Sequence, residues 1–194
     1  NIDQSMIILN LDGDFQVYRT GSFPYNQSAN SVITLSTFDE PRWDPVDRST
    51  VWGLRDFSIL TINVQTGQTT MIKDFTQDST IGPIIAAEPD LYRITTRQEG
   101  ESSQDKRFWA FLLQGSNEDY RVRYLFTWDR QLDQVLGVYP IPQNESSIDW
   151  VGMSWKGNWV LIGGDSYNEG NLAGFTIASR ELTQFHRIDF TTAH

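Results

Sequence analysis

The sequence predicts an all-β chain of consecutive four-stranded antiparallel sheets, the unit from which β-propellers are built. Three observations lead there. The composition favours strands, with 7 Trp, 7 Tyr and 11 Phe among 194 residues, and aromatic side chains suit a pleated, half-buried surface. Short alternating apolar and polar runs are bounded by turn residues along the chain, while helical periodicity is hard to find. Finally, a strand–turn–strand element recurs at intervals close to one blade.

The elements follow in chain order. Residues 6–18 read as two strands joined at Leu11-Asp12-Gly13-Asp14, the third and fourth strands of a unit that lacks its first two. Arg42-Trp43-Asp44-Pro45-Val46-Asp47-Arg48-Ser49-Thr50-Val51-Trp52-Gly53 is the first copy of the recurring element, a short strand, a polar turn and an aromatic-rich strand. Ile59–Val64 follows as a strand ending in the turn Gln65-Thr66-Gly67-Gln68. The second copy spans Glu101 to Phe111, and the third spans Met153 to Leu161. Setting Asp47, Asp105 and Lys156 level gives spacings of 58 and 51 residues, slightly more than the roughly 40 to 50 residues of a blade. In the second unit the first strand is expected to end near Ser103, with the others over 108–113, 121–127 and 134–139. The resulting division is 1–38 as the end of one blade with a connection, then blades at 39–76, 77–142 and 143–190, and the start of another at 191–194. Trp43, Trp52, Trp109, Trp150, Trp155 and Trp159 all lie in or beside the recurring element, and packing between blades is their expected role.

Three units with end pieces fall short of a ring of 4 to 8 blades, and an open array would expose strand edges. The expectation is therefore a portion of a 6–8-bladed ring, with the remaining blades of the same protein as partners. Asn1-Ile2-Asp3-Gln4 is neither an initiator Met nor a secretory n-region, as expected of a processed protein or an internal segment.

Composition removes several function classes. A net charge of −10 provides no basic stripe for a nucleic-acid backbone. No run approaches the roughly 20 apolar residues that span a bilayer as a helix. The chain has no Cys, which excludes disulfides, thiolate catalysis and Cys-ligated zinc. No G-x-S-x-G elbow, Walker A or dinucleotide fingerprint occurs, and no cofactor is implied.

Site candidates follow from the register. Loops entering the first strand and leaving the second line one rim of a propeller, which places Arg42, Glu99, Glu101, Asp149 and His194 near one face as candidate ligand-binding residues. The bland alternative is solvated or salt-bridged surface charge. Asp165-Ser166-Tyr167-Asn168-Glu169-Gly170-Asn171 is the richest oxygen-donor loop, with Asp165, Asn168 and Glu169 as calcium candidates, but it departs from the EF-hand pattern. Trp52, Trp109, Phe23 and Tyr25 are candidates for stacking on sugar rings, although packing is the commoner use of such residues.

Arg42-Trp43-Asp44-Pro45 with Val51-Trp52-Gly53, and the stretch Glu99 to Phe111, resemble bacterial secreted propellers of the TolB-like and oligogalacturonate-lyase-like kind. Met153-Ser154-Trp155-Lys156-Gly157-Asn158-Trp159 is similar to their S-P-D-G-K turn, with Trp155 in place of Pro and Lys156 in place of Asp. The likeness covers 39–53, 98–113 and 148–163. In the lyase branch it implies a metal and an acid–base pair drawn from several His and a Gln. This chain has only His186 and His194, so that chemistry does not carry over. The expected function is a non-enzymatic ligand- or protein-binding, or scaffold, propeller of a secreted, cell-surface or periplasmic bacterial protein. Carbohydrate or another surface protein is the expected partner. The alternative is a polysaccharide-active lyase or glycosidase-like enzyme with catalytic groups mostly elsewhere.

Overall fold

The computed structural model describes residues 4–9, 15–20, 33–34, 39–44, 47, 49–63, 66, 68–96, 102–115, 121–142, 148, 150–163 and 175–188. The chain is all-β apart from short helical turns, and it divides into two units, 1–74 and 75–194.

In the first unit, β1 (Gln4–Leu9) and β2 (Phe15–Thr20) form the antiparallel hairpin expected from the sequence. A two-residue β3 (Ile33–Thr34) adds to β2 in parallel, which no local signal announced. The unit's other sheet is an antiparallel meander of β4 (Asp39–Trp43), β5 (Thr50–Arg55), β6 (Ser58–Asn63) and β7 (Thr69–Asp74) in spatial order 4-5-6-7. Its two central strands bury Val51, Trp52, Leu54, Ile59, Leu60 and Ile62, while the edge strand β7 is exposed over its first half.

The second unit opens with a 3-10 turn (Phe75–Gln77) and a helix, α1 (Ile81–Ala87). The sequence reading anticipated no helix. Seven residues give less than two full turns of periodicity, too little to register as an apolar stripe. The local cause is Asp78, whose Oδ1 accepts from the Thr80 and Ile81 amides at 2.9 and 3.2 Å and so satisfies donors that a helix start leaves open.

Two further meanders follow. One comprises β8 (Leu91–Thr95), β9 (Phe108–Gly115), β10 (Val122–Asp129) and β11 (Gln134–Pro140). The other comprises β12 (Trp150–Met153), β13 (Trp159–Gly163), β14 (Phe175–Ser179) and β15 (Phe185–Ile188). Strands β9 and β13 occupy the same place in their sheets. The first strand of the earlier sheet lies at Leu91–Thr95, well before the expected end near Ser103. Nearer the expected end, Ser102 forms an isolated antiparallel bridge with Trp109.

All eight residues of β9 are buried, because both faces of its sheet are covered. On one face Phe75 sets its ring edge-on against Phe111, Phe126 and Trp128, with centroids 4.9–5.6 Å apart. The other face carries Phe108, Ala110, Leu112 and Leu125, which pack on Val151, Met153, Val160, Ile162 and Ala178 of the next sheet. Two further contacts fix that stacking. Thr127 Oγ1 donates to the Arg180 carbonyl at 2.6 Å. Gly137 lets the same hairpin approach so closely that a Cβ would stand 2.4 Å from the Glu181 carbonyl oxygen.

The recurring turn has a repeated geometry. Ser103 N donates to Phe108 O, and Ser103 Oγ accepts from Phe108 N. Ser154 and Trp159 repeat both bonds. Lys106 and Gly157 then fall at the same place, both with positive φ (57° and 70°). Asp47 and Asp105 each accept the amide two residues on, so the alignment on Asp47, Asp105 and Lys156 matches the observed turns. Of the six tryptophans expected to pack between blades, Trp52 and Trp109 are buried and Trp150 is half-buried, with Trp109 packed on Phe111 and Trp128 of its own sheet. Trp43, Trp155 and Trp159 are exposed: Trp43 lies on an edge strand, Trp155 at a turn tip, and Trp159 on an uncovered sheet face.

Candidate functional site

Each meander has two ends. Tight turns between its first and second and its third and fourth strands gather at one. In the two sheets of the second unit these turns are tied together by the same bond, Arg130 N to Arg107 O and Arg180 N to Asn158 O. This end is built for rigidity. Arg107 donates through Nε and Nη2 to buried Asp129 at 2.8–3.2 Å. Asp129 Oδ1 also accepts from the Gln131 and Leu132 amides. Burial alone would raise the Asp129 carboxyl, but the Arg107 pair and these amides outweigh it and hold the carboxyl below its ordinary range. Asp105 is held low by the Ser103 hydroxyl and the Arg107 amide, and Asp47 by the hydroxyls of Ser49 and Thr50.

The opposite end carries the connections between the second and third strands, and in the second unit it concentrates varied chemistry around Gln114. This residue closes the apolar run of β9 and is only 2% exposed. It pairs with Arg93 of β8 on one side and Val122 of β10 on the other. The register slips beside it on both sides, between Leu91 and Arg93 and between Val122 and Tyr124. Each slip inserts one residue, Tyr92 and Arg123, and a bulge of this kind re-aims side chains. Tyr92 and Arg93, which a regular strand would point to opposite faces, consequently both reach Gln114 Oε1. The Arg93 Nε donates at 2.9 Å and the Tyr92 hydroxyl at 3.4 Å, and the guanidinium lies 5.1 Å over the Tyr92 ring.

A second group forms outside the other bulge. The Tyr124 hydroxyl donates to Glu88, which pushes the phenol up from its ordinary value. Arg123 sits 3.7 Å from Glu88 and 3.8 Å from Asp90. Two arginines, two tyrosines, an amide and two carboxylates thus border one loop end, mostly half-buried. Such a surface can hydrogen-bond hydroxyl- or carboxylate-bearing ligands. Among the described residues no group of three or more His, Asp or Glu could hold a metal ion.

Of the residues expected to form a site, only Arg42 lies among those described. It is half-buried on β4, the edge strand of its sheet, opposite Trp52. Glu99, Glu101, Asp149, His194, Asp165, Asn168 and Glu169 lie outside the described residues, as do Phe23 and Tyr25. Trp52 and Trp109 are each 2% exposed and so offer no face to a sugar ring, which corrects that expectation. His186 is exposed on β15. The residues around Gln114 were missed, although a polar residue ending an otherwise apolar strand was a readable signal.

No family model matches the chain, and comparison with curated proteins gives no match. Among solved structures the chain is similar to an oligogalacturonate lyase in complex with manganese, with 15% identity, TM-score 0.46, 79% of this chain and 37% of that one. It is similar to the β-propeller domain of the Trilobed protease from Pyrococcus furiosus, with 12% identity, TM-score 0.45, 95% of this chain and 48% of that one. It is also similar to TolB from Acinetobacter baumannii, with 14% identity, TM-score 0.44, 92% of this chain and 38% of that one. The chain therefore spans less than half the length of each. No helix among the described residues is long and apolar enough to cross a membrane.

Proposed function

We propose that this chain belongs to a non-enzymatic binding or scaffold propeller of a secreted, cell-surface or periplasmic bacterial protein, with the Gln114 loop end as its binding surface. Carbohydrate or another surface protein is the ligand class. The observation that carries this reading is the pair of bulges flanking Gln114. Bulges interrupt a ladder and recur where a side chain must be re-aimed, and both occur at the one buried amide that holds Arg93 and Tyr92. Planar, hydrogen-bonding side chains of this kind suit sugar hydroxyls and carboxylates, or the polar rim of a protein partner. An acid–base reading is less favoured, because Glu88 already accepts from Tyr124 and faces Arg123.

The test is affinity electrophoresis of the purified protein through gels containing neutral or acidic polysaccharides, alongside Arg93→Ala and Gln114→Leu. Retardation lost in both variants, with the circular dichroism unchanged, supports the reading. Retardation that ignores both substitutions refutes the site. Release of new chain ends from any polysaccharide refutes the non-enzymatic assignment and favours a lyase or glycosidase-like activity.

A further inference from the structure

We propose that Trp155 is the platform of a carbohydrate site at the tight-turn end of the second unit, an indole on which one pyranose ring stacks. This site lies at the end opposite Gln114 and is independent of that surface. Trp155 is 69% exposed, the most open of the large apolar side chains among the described residues. It stands in the turn that joins β12 to β13. Its openness does not hang on which sheet comes next. Ser103 and Ser154 make the same turn bonds, so Trp155 takes the place that Gln104 takes one sheet earlier. Gln104 has the next turn against it, its amide donating to the Trp155 carbonyl at 3.0 Å, and is exposed all the same.

The backbone beneath the indole is fixed. Ser154 N donates to Trp159 O, Trp159 N donates to Ser154 Oγ, and Gly157 N donates to Ser154 O at 2.8 Å. The Asn158 carbonyl accepts from Arg180 N at 3.0 Å. Gly157 is pressed on Phe108, where a Cβ would stand 2.3 Å from a ring carbon, so the turn cannot sink into the sheet below. A large apolar surface is thereby held in water on a frame that needs no ordering when a ligand arrives, and preorganisation of this kind favours binding.

The surroundings identify the class of ligand. Gln104 and Asp105 on one turn and Lys156 and Asn158 on the other are exposed and polar. A protein partner needs a desolvated apolar core of several side chains inside a polar rim. Among the described residues the tips of these two turns present a single indole. A pyranose matches that footprint. Its ring C–H groups carry slight positive charge and lie against the negative face of the indole, while its hydroxyls reach the amides, the carboxylate and the ammonium around it. Neutral and acidic sugars share this ring, so the ring defines the class.

Nuclear magnetic resonance of the intact protein tests this with two probes, the neutral cellohexaose and an acidic mannuronate hexamer. The indole N–H resonance of Trp155 is identified by its loss in Trp155→Tyr. The expected result is a progressive shift of that resonance, and of the Gln104 and Lys156 amides, with at least one probe, while buried Trp52 and Trp109 stay still. A response to cellohexaose marks a neutral sugar, and a response to the mannuronate alone an acidic one. The amide response should persist in Trp155→Tyr, which keeps a ring, and weaken about tenfold in Trp155→Ala. Both variants keep the fold, since the side chain they replace is exposed. A Trp155 resonance unmoved by either hexamer overturns the proposal and leaves the tip to a protein partner. Amide shifts of undiminished affinity in Trp155→Ala overturn it too, because the indole is then not the platform. Substitutions at Arg93 and Gln114 bear on the other end, so the two sites fail separately.

Discussion

Replacing Asp129 separates what holds a blade's outer turn from what holds its neighbouring charge. The carboxylate is almost fully buried and does two jobs. It receives the Gln131 and Leu132 amides at 2.9 and 3.1 Å, and it receives Arg107 through two nitrogens. The turn role is shared by its equivalents, since Asn63 Oδ1 accepts from Thr66 N and Ser179 Oγ accepts from Thr183 N and Gln184 N. The ion pair is particular to Asp129. Removing one member of a fully buried pair costs about 3–5 kcal/mol, but the partner here, Arg107, has a side chain 36% exposed and can turn to water. Losing bonds to a charged acceptor costs about 1.5–3 kcal/mol. Asp129→Ala should accordingly destabilise by about 2–4 kcal/mol, and Asp129→Ser, which keeps a turn acceptor, by roughly half as much. Urea unfolding followed by tryptophan fluorescence measures both. Because the folded carboxyl is held below its ordinary value, its contribution is present above the unfolded pKa of about 3.9 and is lost as pH falls through the lower folded value. The wild-type advantage over Asp129→Asn should therefore shrink below about pH 4. An alanine variant within about 0.5 kcal/mol of wild type, the range of a neutral surface change, would refute the reasoning, as would a serine variant as damaged as alanine.

Three further outcomes follow from the packing on the two faces of the β8–β11 sheet. Phe75→Ala removes a fully buried ring touching Phe111, Phe126 and Trp128; thermal unfolding should show a loss of about 3–5 kcal/mol. Gly137→Ala places a Cβ against the Glu181 carbonyl and should cost about 1–3 kcal/mol through forced separation of the sheets, with faster hydrogen exchange at 179–184. Thr127→Val removes the hydroxyl bond to the Arg180 carbonyl and should cost about 1 kcal/mol. Combined with Gly137→Ala its effect should fall short of the sum, since both act on one contact, which a double-mutant cycle reads directly.

The parts of this fold that are legible in sequence are those where backbone geometry constrains residue type locally. The turn at Ser103–Phe108 shows the point. Its serine must accept from an amide five residues on, and its fourth position must tolerate a positive φ, so the pattern survives as a recognisable string even where Lys106 stands in for glycine. The outer turns carry a similar string, Asn63-Val64-Gln65-Thr66-Gly67-Gln68, Asp129-Arg130-Gln131-Leu132-Asp133-Gln134 and Ser179-Arg180-Glu181-Leu182-Thr183-Gln184. Each begins with a small polar side chain accepting an amide within its own turn. The loop end around Gln114 obeys no such rule. Its geometry depends on two register slips contributed by strands on either side, one 22 residues before Gln114 and the other 9 after. A slip is a property of a strand pair and leaves no mark on either strand alone. Exposure of the tryptophans was misread for the same reason. Phe108 and Trp159 have equivalent local settings, and only the presence of a covering sheet makes one buried and the other exposed. Local strings therefore report how each blade turns, whereas the Gln114 loop end and the exposure of each sheet face are set by pairing and stacking between strands.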